Sequence, residues 1–392
     1  MRKALLVFLS CAMVALAGAC GDARQHGPVS GLLKPEVLRQ ADEWLTREPV
    51  TVTAFVAERS AGGLHDFYSE GDYWWPDPEN PDGPYIRRDG ESNPDNFSEH
   101  RKAMVDFSRA VGSLTSAWLL TGKKEYAAAA EKQIRAWFID GETKMNPNLL
   151  YAQAIKGRYT GRGIGIIDTL HLIEVAQSLV RLREAGGISQ DCLDGAVAWF
   201  SEYLRWMSTH EYGLDEMNAK NNHGTCWALQ AAAFARLTGD KEVTELCRRR
   251  FTEIFLPGQM DPDGSFPQEL ARTKPYGYSL FNLDAMAALC HILSEDGEDL
   301  WEYATEDGQC MRKALDFMLP YVRDKDTWPY GHDVMYWDEW PVAQPAYLLG
   351  WARFGDAAYF EAWKEREHFP TNAEVLRNLP LRNPILWVKD RG

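Results

Sequence analysis

The stretch ALQAAAFARLTGDKEVTELCRRRFTEIF, residues 228–255, decides the fold that the sequence predicts. Small side chains recur at Ala228, Ala232 and Ala235, which is the spacing of one buried helix face. This helix ends at Thr238-Gly239, where glycine can adopt the left-handed conformation that terminates helices. A charged first turn follows at once and starts a second helix. The stretch therefore predicts a tight helical hairpin.

The same hairpin pattern occurs three times, at a spacing of about 117 residues. The first helices end at Thr121-Gly122, Thr238-Gly239 and Phe354-Gly355, and the second helices are predicted at Lys124–Phe138, Lys241–Phe255 and Ala357–Arg366. Strict strand alternation is nearly absent from the chain. Because hairpins packed around a ring bury one continuous core, we predict an all-α fold, an incomplete (α/α) toroid or barrel of helical hairpins.

The first twenty residues have the pattern of a secretory signal peptide. Arg2 and Lys3 precede an apolar stretch that is too short for a transmembrane helix. Ala17-Gly18-Ala19-Cys20 is close to the lipobox of bacterial lipoproteins, with alanine in place of the usual leucine. We expect residues 1–20 to be a signal peptide of the lipoprotein type, and residues 21–392 to form one toroid domain. The protein is then periplasmic, or anchored to the outer membrane by acyl chains on Cys20.

A formal net charge of −15 argues against nucleic acid as a partner, because phosphate binding needs a basic face. An acidic protein can still bind an acidic polymer if its cations line one cleft. We expect no catalytic metal and no cofactor, because the chain has neither an HExxH motif nor a His–Cys cluster. The spacing of the later cysteines favours buried free thiols over a disulfide framework, at Cys192, Cys226, Cys247, Cys290 and Cys310.

The segment Tyr73–Asn96 is rich in proline, glycine, aspartate and asparagine, so it cannot form a long helix. It also carries large aromatic side chains, which disordered segments avoid. We therefore expect an ordered loop that packs over a site. The candidate substrate-binding residues here are Tyr73, Trp74, Trp75, Arg87 and Arg88. We interpret the glycine-rich run at 161–165 as a loop whose backbone closely approaches its neighbours. The further candidates are Tyr151 and Gln153, which precede this run, and Arg162, which lies within it.

The polar cluster that points to function begins with Asn222-His223, at the predicted start of a helix. Arg272 and Tyr278 follow about fifty residues later. An amide, an imidazole, a guanidinium and a phenol can together bind a carboxylate and move a proton beside it. The C5 proton of a uronate becomes acidic enough to leave only after its carboxylate is neutralised. The set therefore predicts β-elimination from an acidic sugar chain.

In this hypothesis Asn222, His223 and Arg272 neutralise the carboxylate and stabilise the enolate-like state. Tyr278 carries the proton, with Tyr276 as the alternative, and His223 serves as base when the C5 proton lies on the opposite face. Because a phenol is neutral near pH 7, we expect Arg272 to lower the pKa of Tyr278. Glu269 and Tyr276 are further candidates for substrate binding.

The Asn222-His223 pair, with Arg272 and Tyr278 downstream and Tyr73–Pro78 upstream, resembles the alginate lyase superfamily of (α/α)-toroid polysaccharide lyases. The resemblance is to its family 5 and family 38 branches, and it extends from about Gly71 to Trp351. It implies that the Asn, His and Arg side chains neutralise the carboxylate and that Tyr278 carries protons without a metal. It also implies an acidic polysaccharide substrate, a β-1,4-linked uronate polymer such as alginate, polymannuronate or glucuronan.

Two other interpretations stay open at this point. An (α/α)-toroid glycoside hydrolase would need a pair of carboxylates, and the candidates are Asp263, Glu269 and Asp333. A non-catalytic glycan-binding lipoprotein would need the aromatic residues. It would have little use for the combination of Asn222, His223, Arg272 and Tyr278.

Overall fold

The computed structural model describes residues 27–294 and 299–389. The expected signal peptide and Cys20 lie outside these residues. The α-helices of the described part are α1 (Pro28–Leu45), α2 (Glu99–Thr121), α3 (Lys124–Phe138), α4 (Leu172–Glu184), α5 (Gln190–Thr209), α6 (Glu211–Met217), α7 (Asn222–Thr238), α8 (Lys241–Arg250), α9 (Leu256–Gln259), α10 (Pro267–Leu270), α11 (Pro275–Leu293), α12 (Met311–Arg323), α13 (Pro345–Phe354), α14 (Ala357–Lys364), α15 (Ala373–Asn378) and α16 (Pro384–Trp387).

Four short strands form two small sheets beside the helices. Strand β1 (Tyr68–Glu70) pairs in parallel with β4 (Tyr151–Ala154). Strand β2 (Trp74–Trp75) pairs antiparallel with β3 (Ile86–Arg87), so the proline-rich segment is ordered as a hairpin. A 3₁₀ segment at Gly163–Thr169 follows β4 and leads into α4.

The repeated hairpins are present as α2–α3, α7–α8 and α13–α14, and helix α3 has the predicted bounds. Two second helices differ from the prediction. The chain continues after α8 as a π-helix at Phe251–Phe255, and α14 ends at Lys364, two residues before the predicted end. The glycines that end the first helices have φ of 71°, 78° and 68°, at Gly122, Gly239 and Gly355.

Helices α2, α4, α7, α11 and α13 pack side by side in chain order and form an inner layer. Outer helices cover this layer, among them α1, α3, α5, α8, α12 and α14. Most side chains of α7 and α11 are buried, which explains why these helices are apolar on nearly every face. The buried apolar residues form one continuous cluster. This is the architecture of an (α/α) toroid, and the predicted fold class is confirmed.

The cysteines of the described residues are free thiols, as the spacing predicted. Four of them are buried, and Cys310 is partly exposed. Burial raises the pKa of Cys247 to about 12, which keeps this thiol protonated and unreactive.

No single described helix is both long enough and apolar enough to cross a membrane. The segments Gly163–Thr169 and Leu172–Glu184 meet that requirement only as a pair that is bent by 45°. Helix α4 of this pair is largely buried in the core.

We expect Gly239→Ala to lower the free energy of unfolding by about 1 kcal/mol, because the left-handed conformation that glycine adopts freely is unfavourable for alanine. No atom lies within 4 Å of a Cβ built at Gly239, so the loss would come from the backbone alone. Gly258→Ala is the matched control, since that helical glycine also has open space and no positive φ. Urea denaturation of both variants tests this, and equal stabilities would contradict it.

Candidate active site

A cleft of about 260 Å³ opens where the segments that lead into α2, α4, α7 and α11 come together. Asp72 is the one carboxylate among its described lining residues. The lining also contains four arginines, at Arg87, Arg162, Arg272 and Arg377. A chain with a net charge of −15 therefore concentrates cations in this cleft, as binding of an anion requires.

Asn222 is the first residue of α7 and is held by Glu269. Its backbone N–H donates to one carboxylate oxygen of Glu269 at 2.9 Å, and its side-chain Nδ2 donates to the other at 2.7 Å. Asn221 caps the helix, because its side chain accepts from the backbone N–H of His223. Since Nδ2 has two hydrogens, one donor of the Asn222 amide stays available to the cleft.

His223 pairs with Glu216, a carboxylate that sequence reasoning missed. The His223 Nδ1 lies 2.7 Å from the Glu216 carboxylate, which is almost fully buried. Burial acts to lower the pKa of His223, but the Glu216 carboxylate outweighs it, and the net pKa lies above the ordinary value. An imidazole that donates through Nδ1 directs Nε2 away from Glu216, so His223 can present a cationic N–H donor in the cleft.

Arg272 is oriented by Asp89, which follows β3. Its Nε and Nη2 donate to the two oxygens of Asp89 at 3.3 and 3.1 Å. Burial raises the pKa of Asp89, but Arg272 and then Arg87 outweigh this effect, and the pKa lies below its ordinary value. Asp89 uses only the Nε and Nη2 donors of the guanidinium group, so Nη1 of Arg272 can bind a second carboxylate.

Tyr278 lies between a second phenol, Tyr73, and two cations. Its hydroxyl is 2.6 Å from that of Tyr73 and 3.4 Å from Arg272 Nη2. Burial, together with the neighbouring Tyr73, raises the pKa of Tyr278 well above its ordinary value. The expectation that Arg272 makes Tyr278 acidic is therefore wrong. The cation favours the phenolate, but loss of hydration opposes it more strongly.

Lys274 is the second cation beside Tyr278, and sequence reasoning did not single it out. Its Nζ lies 5.4 Å from the Tyr278 ring centroid and 5.3 Å from that of Tyr73. Glu374 accepts from Nζ at 2.9 Å in a buried ion pair. Burial lowers the pKa of Lys274, but Glu374 outweighs it, so the pKa is raised and the lysine stays charged.

Gln153 and Arg162 form the wall of the cleft that leads into α4. Gln153 has a φ of 54°, a left-handed value that is uncommon for a residue other than glycine. Arg162 Nε donates to the backbone carbonyl of Gln153 at 2.8 Å, and burial lowers the pKa of Arg162 to about 10. A Cβ at Gly161 would lie 1.9 Å from a carbonyl oxygen of Leu150, so the glycine-rich run is a close-approach loop.

The structure brings together Asn222, His223, Arg272 and Tyr278, all of which line this cleft. Half of the ten expected substrate-binding residues also line it: Tyr73, Trp74, Arg87, Gln153 and Arg162. The other five are not among its lining residues: Trp75, Arg88, Tyr151, Glu269 and Tyr276.

Two of these five are buried behind the cleft, which corrects the sequence-based expectation. Both oxygens of Glu269 are occupied by Asn222, so Glu269 positions that residue instead of touching substrate. Tyr276 is fully buried, and its hydroxyl donates to the backbone carbonyl of Tyr321 at 3.0 Å. As the first-turn residues of α11 point in different directions, only Tyr278 of the two tyrosines reaches the cleft.

The remaining three lie outside the cleft for local reasons. Trp75 is in a strand, where successive side chains point to opposite faces, and its indole N–H donates to the Glu91 carbonyl. Arg88 packs over the Trp75 ring, 5.0 Å from its centroid. Tyr151 lies against Gly62, on the far side of β4.

The residues that sequence reasoning missed are mainly the partners of the cleft residues. Asp72 pairs with Arg101 at 2.7 Å and with Arg377, and although burial raises its pKa, these cations bring it down to about 2. Arg377 lies far along the chain from the other residues of the site, so its position in the sequence did not indicate that it belongs there. Asp89 lies in a turn and Glu216 in helix α6, and each has other carboxylates nearby in the sequence. Neither residue was therefore distinctive.

Among the residues described, no group of three or more His, Cys, Asp or Glu side chains is arranged to hold a metal ion. The expectation that neither a metal nor a cofactor takes part stays a prediction.

We expect Glu216→Gln to lower the pKa of His223. The variant keeps a hydrogen-bond acceptor but removes the charge that does most to offset burial of the imidazolium, and the charge of Glu269 opposes burial only in part. Titration of the His223 ring signals by NMR, in the protein without substrate, measures this directly. An unchanged pKa would contradict the pairing, and His65, a partly exposed imidazole, serves as the internal reference.

Comparison with known proteins shows which family the chain belongs to. A sequence profile described as alginate lyase matches residues 51–328. The crystal structure of an alginate lyase from Bacteroides ovatus matches with a TM-score of 0.78 and 33% sequence identity, and the match covers 90% of this chain and 94% of that one. No match was found among curated proteins.

More distant structures share the fold. A variant of alginate lyase A1-III in complex with a tetrasaccharide has a TM-score of 0.59 at 14% identity, with 91% of this chain and 95% of that chain covered. The A1-III enzyme from Sphingomonas species A1 has a TM-score of 0.52 at 15% identity, with 82% and 88% covered. The extent of the profile match and the 33% identity of the Bacteroides structure settle the assignment. This chain belongs to the alginate lyase family of polysaccharide lyases.

Proposed function

We propose that this protein cleaves a β-1,4-linked uronate polymer, alginate, polymannuronate or glucuronan, by β-elimination. Asn222, His223 and Arg272 neutralise the carboxylate of the reacting sugar, and Tyr278 carries the proton. The observation that carries this proposal is that these four side chains line a single cleft. They come from the starts of two neighbouring inner helices, α7 and α11, or from the segment just before α11.

The carboxylate of the substrate would be neutralised by hydrogen-bond donors that the protein's own carboxylates do not use. One hydrogen of the Asn222 amide, the Nε2 of His223 and the Nη1 of Arg272 are available after Glu269, Glu216 and Asp89 are satisfied. When C5 loses its proton, negative charge moves onto the carboxylate. These donors then bind more strongly than in the ground state, which lowers the barrier.

The elimination itself forms the C4=C5 double bond and breaks the C4–O4 bond. In mannuronate and glucuronate the C5 hydrogen and O4 lie on the same face of the ring. The Tyr278 phenolate, formed when the phenol has lost its proton to solvent, can therefore take the C5 proton, and the regenerated phenol then donates that proton to O4. Arg272 and Lys274, 4.5 and 5.4 Å from the Tyr278 ring centroid, stabilise that phenolate. With the C5 epimer, neutral His223 takes the C5 proton and the Tyr278 phenol donates to O4.

Two structures of a distant relative support an oligosaccharide as ligand. Alginate lyase A1-III forms complexes with a tetrasaccharide in one variant that replaces a histidine and in another that replaces a tyrosine. The same two residue types face the cleft here, as His223 and Tyr278.

A glycoside hydrolase fits the site less well, because hydrolysis requires two carboxylates that flank the scissile bond. The three candidates have structural roles. Asp333 accepts from the backbone N–H groups of Tyr276 and Gly277 at the start of α11. Glu269 holds Asn222, and Asp263 lies in an exposed turn. In the described part of the chain, Asp72 alone contributes a carboxylate to the cleft, and two arginines neutralise it.

The expected export and lipid attachment at Cys20 rest on residues 1–20 alone and stay predictions. A periplasmic or outer-membrane location suits the proposed substrate, because a uronate polymer is met outside the cytoplasm.

Tyr278→Phe should reduce elimination by about 10²-fold or more, because phenylalanine cannot carry a proton. The measurement is the ultraviolet absorbance of the new double bond, on polymannuronate, alginate and glucuronan in turn. Tyr276→Phe is the matched control, since it removes a buried hydroxyl from the same helix turn and should keep most of the activity. Equal losses in the two variants would refute the assignment of Tyr278.

The apparent KM should rise as the pH increases through the raised pKa of His223. Below that pKa the imidazolium offers a positive charge to the substrate carboxylate, and above it the charge is lost. In Glu216→Gln the rise should begin at a lower pH, because the His223 pKa falls. Steady-state kinetics across the pH range test this, and superimposable KM profiles would contradict the role given to the imidazolium.

A further inference from the structure

Two surface segments beside the cleft carry cations that rest on aromatic rings. The segments are 74–88, which contains the β2–β3 hairpin, and 155–162, which follows β4. We refer to their four cations and three rings as the cation platform: Arg88, Lys156, Arg158 and Arg162 above Trp74, Trp75 and Tyr85.

Each cation lies within contact range of a ring. The Arg158 and Arg162 guanidinium carbons are 5.4 and 5.9 Å from the Trp74 ring centroid. Arg88 lies 5.0 Å from that of Trp75. At these distances the electrostatic field of the ring face attracts the cation and holds it in place.

The two segments are joined by their backbones, so the platform is one surface. The N–H of Tyr85 donates to the carbonyl of Lys156 at 3.2 Å. Arg158 Nε donates to the carbonyl of Tyr85 at 2.8 Å. Lys156 Nζ lies 5.6 Å from the Tyr85 ring centroid, and both Lys156 and Arg158 are exposed.

No described carboxylate lies within 4.0 Å of the charged nitrogens of these four cations, in contrast to Arg272 with Asp89. This difference matters because a carboxylate partner neutralises a cation, whereas an aromatic ring orders it and leaves its charge unchanged. The platform therefore keeps ordered positive charges at the surface of an acidic protein, ready for an external anion.

The platform is continuous with the cleft, because Trp74 and Arg162 also line the cleft wall. A polymer that places one uronate beside Tyr278 has further carboxylates along its chain. We propose that the cation platform binds the carboxylates of uronate residues that extend beyond the cleft, so the protein holds long polyuronate chains in preference to short oligomers. This inference rests on the proposed function, and it adds residues that the reaction itself does not use.

Such binding should depend on salt, because Lys156 and Arg158 are exposed charges. The net charge of −15 repels a polyanion at a distance, and the platform provides a local attraction that offsets this repulsion. The contribution of the platform to affinity should therefore depend on the length of the polymer and on the ionic strength. These two variables distinguish it from the contribution of the residues in the cleft.

The test compares Lys156→Ala/Arg158→Ala with Lys123→Ala/Lys124→Ala. The control removes two charges, one of them also above a ring, since Lys123 lies 5.7 Å from the Tyr126 ring centroid. These two lysines lie just beyond the last turn of α2. The cleft lies at the opposite end of this helix, where Arg101 in the first turn contacts Asp72. The helix separates these two ends by about 33 Å.

Affinity for long polymannuronate, alginate and glucuronan, and for their trisaccharides, is measured by calorimetry in a Tyr278→Phe background that prevents turnover. We expect the platform variant to bind the long polymer about fivefold more weakly at low salt, with a smaller change for the trisaccharide and a reduced dependence on salt. The control variant should match its parent. Melting temperatures verify that both variants fold.

A platform variant that keeps the parent's polymer-to-trisaccharide affinity ratio would overturn the inference. If the protein with Tyr278 intact still cleaves the polymer in that case, the proposed function stands without the platform. If the Tyr278→Phe parent binds none of the three polymers and the protein with Tyr278 intact cleaves none of them, the platform and the proposed function fall together.

Discussion

Each of four polar groups that face the cleft is paired with a carboxylate, and the site depends on this arrangement. The pairs are Glu269 with Asn222, Glu216 with His223, Asp89 with Arg272 and Asp72 with Arg377. A buried polar group without a partner costs about 1–3 kcal/mol. Each carboxylate removes that cost and fixes one donor, so that another donor of the same group stays available to the cleft. The cleft is thereby preorganised for an anion before any substrate enters.

The same burial that strengthens these interactions opposes ionisation of the proton carrier. Loss of hydration keeps Tyr278 a neutral phenol, although two cations lie close to its ring. In the proposed reaction Lys274 and Arg272 would stabilise the phenolate once Tyr278 has lost its proton to solvent, although they do not bring the pKa of Tyr278 down to its ordinary value. The toroid makes this possible, since it brings the lead-in segments of several inner helices to one place.

The sequence predicted the parts that local chemistry determines. Gly122, Gly239 and Gly355 ended their helices because only glycine adopts the left-handed conformation without cost, and this repeat was sufficient to predict the toroid. The Asn222-His223 pair, Arg272 and Tyr278 were found because their functional groups are rare in combination. Asp89 and Arg377 were missed because partners across the fold follow no spacing in the chain. Glu216 is only seven residues before His223, but it was missed because it lies among other carboxylates of α6. Tyr276 and Glu269 were assigned to the substrate because the direction of a side chain in a short helical turn depends on packing.

The central claim is that these residues break a glycosidic bond by elimination, with no water added. Cleavage of polymannuronate, alginate or glucuronan in water labelled with heavy oxygen, followed by mass spectrometry of the products, tests it most directly. The account predicts that one product of each cleavage is lighter by one water, because it carries the unsaturated C4=C5 end, and that the new reducing end takes up no more label than an uncleaved oligomer takes up by exchange at C1. Products that contain the heavy oxygen at the cleaved bond, with saturated ends, would contradict it.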